Sequence, residues 1–529
     1  MLNTPNALGG MVVAPHHLAA QAGRDVLRDG GNAVEAMVAA AAAIAVVYPH
    51  MTSIGGDGFW LIHTPGQTPI AIDASGFAAA LATPQRYAGL DAIPARGAQA
   101  ALTVAGTIGG WVKALGVAGT WSSKPLPLER LLRDAIRHAR DGVVVTTSQA
   151  ELTRQKLDGL KHAPGFADAF LVHGEPPKPG HILRQPALAE TLRTLAAQGL
   201  DGFYRGELSH RIGAELERIG SPVRTADLAA YTAQVVTPLS VRLRDATVYN
   251  LPPSTQGLAS LMILGLYERL GVAEGESFAH LHGLIEATKR AFRVRNKVVT
   301  DPRRVPGDPA SHLGDAALDA LAADIDMRTA LPWPEPAAPG DTIWMGAIDR
   351  EGRAVSFIQS IYWEFGSGVV LRDTGITWQN RGISFSLDPA NLNALEPGRK
   401  PFHTLNPALA LFDDGRVMPY GTMGGEGQPQ TQAAVFTRYA RYGQTLQQAI
   451  GAPRWLLGRT WGDASTNLKL ENRFDPALVQ ALRDAGHDVE VLDHAFSDTM
   501  GHAGALVRHP DGRIEGAADP RSDGAACGV

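Results

Sequence analysis

Residues 331–368 read LPWPEPAAPG (331–340) followed by DTIWMGAIDREGRAVSFIQSIYWEFGSG (341–368), and the rest of the chain is best understood outward from this stretch. Prolines at 332, 334, 336 and 339 lack amide donors and fix φ, so the first ten residues predict an exposed connector and neither a helix nor a central strand. Beyond Asp341-Thr342, the apolar residues Ile343, Met345, Ala347 and Ile348 open a strand that reaches the turn Asp349-Arg350-Glu351-Gly352. Ala354 to Ile361 predicts the returning strand of a hairpin. Thr342 therefore falls at the first position of a strand, just past the connector. If the Asp341–Thr342 bond were cut, that threonine would hold a hydroxyl nucleophile and its own general base on one residue. An ordinary Asp-Thr pair closing a loop is the competing reading, and the remaining sequence has to separate the two.

With 529 residues, 45% hydrophobic and 19% charged, the chain predicts a soluble globular protein of one very large domain or two or three ordinary ones. Lys plus Arg total 48 against 53 Asp plus Glu, and no basic run offers a footprint for nucleic acid or an anionic membrane. Cys527 is the single cysteine, which excludes an internal disulfide and a multi-thiolate zinc site. MLNTPNALGG lacks the basic and apolar regions of a secretory signal, so a cytoplasmic location is expected. The longest apolar run, Ala36 to Tyr48, has 13 residues, short of the roughly 20 that span a bilayer, and predicts a buried helix. No His-Glu-x-x-His or similar spacing occurs, so neither metal nor cofactor is expected, and His16, His17, His50 and His502 are read as structural or surface residues.

Taken in order, Met11 to Pro15 predicts a strand, His17 to Arg28 a helix, and Asn32 the cap of the alanine-rich helix that Pro49 ends. Ile54 to Ile62 is a glycine turn entering a strand, the reverse of a phosphate-binding loop. Leu128 to Gly142 and Gln185 to Leu216 carry helical spacing, and Tyr231 to Leu251 strand-like alternation. Helices follow at Gly257 to Leu270 and Phe278 to Asn296, and the stripe Glu286, Lys289, Arg290, Arg293 and Arg295 predicts a solvated face. Gly375 to Gln379, Ala408 to Phe412 and Val417 to Tyr420 read as strands. The last leads through Gly421-Thr422-Met423-Gly424-Gly425-Glu426-Gly427 into a helix at Gln430 to Arg441, where backbone N–H groups would favour negative charge. This alternation predicts a layered α/β architecture.

Several stretches resemble one family from end to end, the γ-glutamyltransferases among the N-terminal nucleophile hydrolases. They are Gly30-Gly31-Asn32-Ala33-Val34-Glu35-Ala36, Ile54-Gly55-Gly56-Asp57-Gly58-Phe59, Val104-Ala105-Gly106-Thr107, Ala139-Arg140-Asp141-Gly142 and Pro252-Pro253-Ser254-Thr255-Gln256-Gly257. After Asp341-Thr342 come Phe365-Gly366-Ser367-Gly368, Glu396-Pro397-Gly398-Arg399-Lys400-Pro401, Met423-Gly424-Gly425, Ala452-Pro453-Arg454 and Asp519-Pro520-Arg521-Ser522. The resemblance implies a four-layer αββα sandwich formed jointly by two fragments of one precursor. The precursor would cut itself between Asp341 and Thr342 into a large fragment, 1–341, and a small one, 342–529, which stay intertwined. A dimer of such processed heterodimers is expected. The resemblance further implies that Thr342 is the nucleophile, that Ser360 hydrogen-bonds it, and that Gly424 and Gly425 form the oxyanion hole. A free α-amine, with an ordinary pKa of roughly 7.7–8, would replace a histidine base.

The departures from the family pattern bear on substrate. Asp73-Ala74-Ser75-Gly76-Phe77 offers no arginine where glutamyl-specific members grip an α-carboxylate. In Gln379-Asn380-Arg381-Gly382-Ile383-Ser384, Ser384 takes the place of the aspartate that pairs an α-ammonium. His403-Thr404 replace paired serines, and Tyr362 replaces an asparagine. An ammonium buried without its counter-ion is costly by several kcal/mol, so a γ-glutamyl head is disfavoured. A smaller acyl amide is expected, with Tyr362, Asn380, Arg381, Ser384, His403 and Thr404 as candidate substrate contacts and Arg381, His403 and Thr404 as donors to a short carboxylate. Two alternatives stand beside this one: a glutathione hydrolase or transferase with a rebuilt clamp, and an unprocessed, non-catalytic relative.

Overall fold

The hairpin strands, Ile343–Asp349 and Ala354–Ser360, are buried along their whole length because each face meets a packed layer. The computed structural model describes residues 3–122, 124–333, 342–458 and 465–529. Asp341 and the prolines at 334, 336 and 339 lie outside the described residues.

The hairpin pairs from Ile343 opposite Gln359 to Ile348 opposite Ala354. It forms the centre of a seven-stranded sheet ordered Ala525–Gly528, Gly10–Ala14, Ile343–Asp349, Ala354–Ser360, Asp57–His63, Ile70–Ala74, Gln234–Val236. A second sheet runs Asn6–Ala7, Ile514–Ala518, Ala503–Arg508, Val417–Thr422, Ala408–Phe412, Ala246–Asn250, Leu239–Arg242. Strands from before and after residue 342 interleave in both sheets, so a break ahead of Thr342 would leave neither fragment with a complete layer.

Side-chain alternation sorts the core into three sets. Trp344, Ile358 and Phe59 point from the first sheet toward the second and pack with Leu409 and Leu506. Met345, Phe357 and Trp60 point the other way, onto helices that include Ala33–Val47. That helix is buried at all its positions, with Asn32 and Glu35 forming a reciprocal cap, since alanine lets neighbours approach from every side. Helices Gly257–Arg269, Phe278–Val298 and Gly427–Ala440 cover the second sheet. The result is the αββα sandwich. No helix among the described residues is long and apolar enough to cross a membrane.

Two expectations change. Gly375 to Gln379 forms no strand: Gly375 is left-handed, with φ 69°, and the stretch contributes only isolated bridges, Gly55 with Trp378 and Val370 with Thr377, its amides being spent on loop carbonyls. The charged stripe of Phe278–Val298 is not a solvated face: Glu286, Lys289, Arg290 and Arg295 are buried. Lys289 and Arg290 both pair with Glu286, and Lys289 Nζ also donates to the Leu331 carbonyl at 2.6 Å. A charge run that finds partners on a following segment can be interior, and helical spacing alone does not reveal those partners. Gln185 to Leu216 carries helices as expected, Pro186–Gln198, Gly202–Arg205 and Glu207–Arg218.

Close backbone approach beside the central strands rests on small residues. A Cβ on Gly76 would lie 1.6 Å from the Val104 carbonyl oxygen, which backbone cannot yield. Gly76→Ala should therefore destabilise the fold by about 3 kcal/mol, read as a shift in the denaturant midpoint with unchanged slope.

Candidate active site

Antiparallel register places three polar residues in one row. Ser360 lies opposite Asp57, and Thr342, one step beyond the Ile343–Gln359 pair, falls opposite Ser360. Directly opposed residues share a face, and this is the face of Trp344, Ile358 and Phe59. The row Thr342, Ser360, Asp57 therefore closes the end of the apolar layer between the sheets, and all three residues are buried. On the opposite sheet, Gly421 and Gly504 accommodate the Trp344 indole: a Cβ on Gly421 would come within 2.2 Å of it. That contact brings the head of the Ile343–Asp349 strand against the end of Val417–Thr422, where the glycine turn begins.

In that turn Gly424 and Gly425 have φ of 113° and 52°, values that suit glycine. Among the described residues, neither amide N–H donates to a protein acceptor. The turn is braced from below. Gln256 Nε2 donates to the Gly425 carbonyl at 2.8 Å and the Thr404 carbonyl at 2.7 Å, and buried Arg295 donates to Gln256 Oε1 at 2.9 Å. Arg295 also pairs with Glu426 at 3.1 Å.

Ser360 Oγ accepts from the Tyr362 amide at 2.8 Å, helping to hold Tyr362 at a φ of 82°, a rare conformation for a bulky residue and a frequent one at functional sites. Asn380 holds the same segment: its Oδ1 accepts from the Trp363 amide at 3.1 Å and its Nδ2 donates to the Ala95 carbonyl at 2.9 Å. The Asn380 side chain is thus engaged with backbone on both atoms.

Arg381 is 1% exposed and stacks on Tyr362, its Cζ 3.6 Å from the ring centroid. Nη1 lies 3.5 Å from Thr404 Oγ1, and Nη2 has no acceptor among the described residues. Burial pulls this guanidinium down to about 10, so it stays charged at neutral pH. His403 is fully buried with both ring nitrogens unpartnered among the described residues. Burial, then Arg381 and Lys400, hold it far below the usual imidazole range, so it is neutral. Its Nε2 lies 3.6 Å from Asp57 Oδ2, and the contact is therefore not an ion pair.

Asp57 Oδ1 accepts from the Gly76 amide at 2.9 Å, the Gly106 amide at 3.1 Å and Gln379 Nε2 at 3.1 Å, while Oδ2 has no hydrogen-bond partner among the described residues. Burial pushes its carboxyl up to about 7, against the opposing pull of the Gly76 bond and Arg381. Sequence reasoning left Asp57, Gln256 and Arg295 without roles. The available signal for Asp57 was a charge set between two glycines in an otherwise apolar strand.

A cavity of about 480 Å³ reaches this region, lined in part by Tyr362, Trp363, Ser384, Phe402, Arg295 and Glu426. Of the predicted contacts, Tyr362 and Ser384 line it. Arg381, His403 and Thr404 are buried outside its lining. Elsewhere, ligand atoms of His282, Glu286 and His487 lie within 4.8 Å of one another. Lys289 and Arg290 already neutralise that carboxylate, and His282 bonds His487 at 2.8 Å and the Asp326 carbonyl at 2.8 Å. A cation there would meet two positive charges, so the cluster fits an internal clamp better than a metal centre.

The αββα sandwich, with its central hairpin just after Thr342, is that of the N-terminal nucleophile hydrolases, a class acting on amide C–N bonds. Within it, the chain belongs to the γ-glutamyltranspeptidase family, whose model, "Gamma-glutamyltranspeptidase", matches residues 19–529. The chain is 59% identical over 519 residues to "Oxamate amidohydrolase proenzyme" of Klebsiella pneumoniae, covering 98% of each. It is 41% identical to "Glutathione hydrolase-like YwrD proenzyme" of Bacillus subtilis, again covering 98% of each. Among solved structures, cephalosporin acylase from Bacillus halodurans superposes with a TM-score of 0.91 at 34% identity, covering 100% of this chain and 97% of that one.

Proposed function

We propose that the chain cuts itself between Asp341 and Thr342 into fragments 1–341 and 342–529, and that the mature enzyme hydrolyses a short acyl amide, oxamate foremost, to oxalate and ammonia. Thr342 Oγ attacks the amide carbon as its proton passes to the Thr342 α-amine. Ser360 orients the hydroxyl, and the Gly424 and Gly425 amides receive the developing oxyanion, a contribution of about 3 kcal/mol for one such donor. Collapse expels ammonia, which takes the proton held by the amine, and water then releases the acyl group from the threonine ester. Every step uses groups of this chain.

The observation that carries the substrate reading is Arg381, a buried cation whose Nη1 lies beside Thr404 and whose Nη2 has no acceptor among the described residues. It suits a carboxylate adjacent to the scissile carbonyl, while Ser384 supplies no charge for an α-ammonium. The name of the relative at 59% identity points the same way. Such an activity belongs to urate and oxalurate breakdown, in the cytoplasm, with the small amide and the chain's own two fragments as partners. The glutathione reading draws on one feature, Asp57 Oδ2, which has no hydrogen-bond partner among the described residues and would attract an ammonium.

Ammonia release from oxamate, malonamate and succinamate, measured beside glutamate release from glutathione, decides between them. Oxamate should lead the panel by at least about 100-fold in kcat/KM, since an acyl group lengthened by a methylene displaces the carboxylate from Arg381. Faster turnover of glutathione than of any short amide would reject the reading.

A further inference from the structure

Asp57 has no part in the chemistry just described, yet it shares a row and a face with Thr342 and Ser360. Three donors hold its Oδ1, Oδ2 has no hydrogen-bond partner among the described residues, and the positive charge acting on it through the buried cluster is Arg381. One buried guanidinium is thus set against one buried carboxyl. A substrate carboxylate reaching Arg381 makes two acids compete for one buried cation, and like charges in a dry site cannot both ionise cheaply.

We propose that Asp57 is the specificity-determining residue of this pocket: its carboxyl takes up a proton as the substrate's carboxylate engages Arg381, so that the pocket accepts one negative charge and rejects a second. The proposal rests on the reading that Arg381 meets the carboxylate.

The surroundings leave Asp57 to carry this change. His403 faces it as a neutral ring. Asp73, on the neighbouring strand, is already paired with Lys400 at 2.7 Å. Tyr204 and Tyr231, toward the helical layer, are pushed well above the ordinary phenol range by burial and stay neutral. The Gly76, Gly106 and Gln379 donors are uncharged. Burial sets the Asp57 carboxyl at about 7, where uptake and release are both accessible. Above that pH the free pocket must acquire a proton to bind a monoanion, so affinity weakens about tenfold per pH unit. Oxalate, with its second carboxylate, is rejected by the same balance once it is formed, which favours product release.

The test uses the mature wild-type enzyme and pyruvate, in which a methyl replaces the amide nitrogen of oxamate. Calorimetric titrations in buffers of different ionisation enthalpy count the protons taken up on binding. About one proton is expected near pH 8.5 and almost none near pH 6, with Kd rising about 15-fold between pH 7 and 8.5. Asp57→Asn, which keeps an acceptor for the three donors, should bind with no such pH dependence. Zero uptake by wild type near pH 8.5, uptake that persists in Asp57→Asn, or no binding of pyruvate at all would overturn the proposal. The wild-type count decides the question even if the variant does not fold. Pyruvate binding with a proton while oxamate yields no ammonia would support the Asp57 assignment and sink the substrate reading instead.

Discussion

Replacing Thr342 by alanine should leave a single chain of 529 residues on a denaturing gel and remove amide hydrolysis. Both consequences come from one atom. Oγ is the proposed nucleophile for the cut that frees the amine and, afterwards, the acceptor of the acyl group, so no step of either sequence survives its loss. Ser360 cannot take over, because its amide lies inside a buried strand and offers no free amine. The expected fall in kcat/KM is at least about 10⁴-fold, the scale seen when a nucleophile acting as part of a unit is removed. Thr342→Ser, which keeps the hydroxyl, should still cut and retain measurable turnover. N-terminal sequencing of the wild-type small fragment should begin at Thr342. Two fragments from Thr342→Ala, or undiminished ammonia release by an intact chain, would remove the basis of the mechanism.

Arg381→Met separates binding from processing. Methionine fills much of the volume over Tyr362 but leaves the substrate carboxylate without a cation in a buried pocket, and losing one partner of such a pair costs about 4 kcal/mol. That corresponds to a fall in kcat/KM toward oxamate of about 10³-fold, expressed mainly as a raised KM. Arg381→Lys should recover little of it, since a point charge on a flexible stem matches neither the stacking on Tyr362 nor the paired donors. Self-cleavage should remain complete in both variants, because the proposed cut draws on the Thr342 hydroxyl and not on a cation for a substrate carboxylate. A KM within a few-fold of wild type for Arg381→Met would remove this residue from the substrate site.

The same residues show how far the primary structure can be read. The hairpin around Asp349-Arg350-Glu351-Gly352 was legible because its apolar run, turn and β-branched return are local signals, and the structure places Ile343–Asp349 and Ala354–Ser360 there. Ala408 to Phe412 was legible for the same reason. The stripe from Glu286 to Arg295 was misread because its partners, Leu331 and Glu426, arrive from remote parts of the chain. Asn380 looked available for substrate, and only the fold shows it engaged with Trp363 and Ala95.

Periodicity and glycine turns pointed to a layered α/β architecture, and the resemblance carried by motifs from Gly30-Gly31-Asn32 to Asp519-Pro520-Arg521-Ser522 pointed to the family and its sandwich, because these follow from residue type and order along the chain; the departures at Ser384, His403 and Thr404 raised the expectation against a γ-glutamyl head. The electrostatics of the pocket were decided by tertiary structure alone. Asp57, Arg381 and His403 are far apart in sequence, and their charge states depend on burial and on one another, quantities that exist only once the two sheets have closed over them.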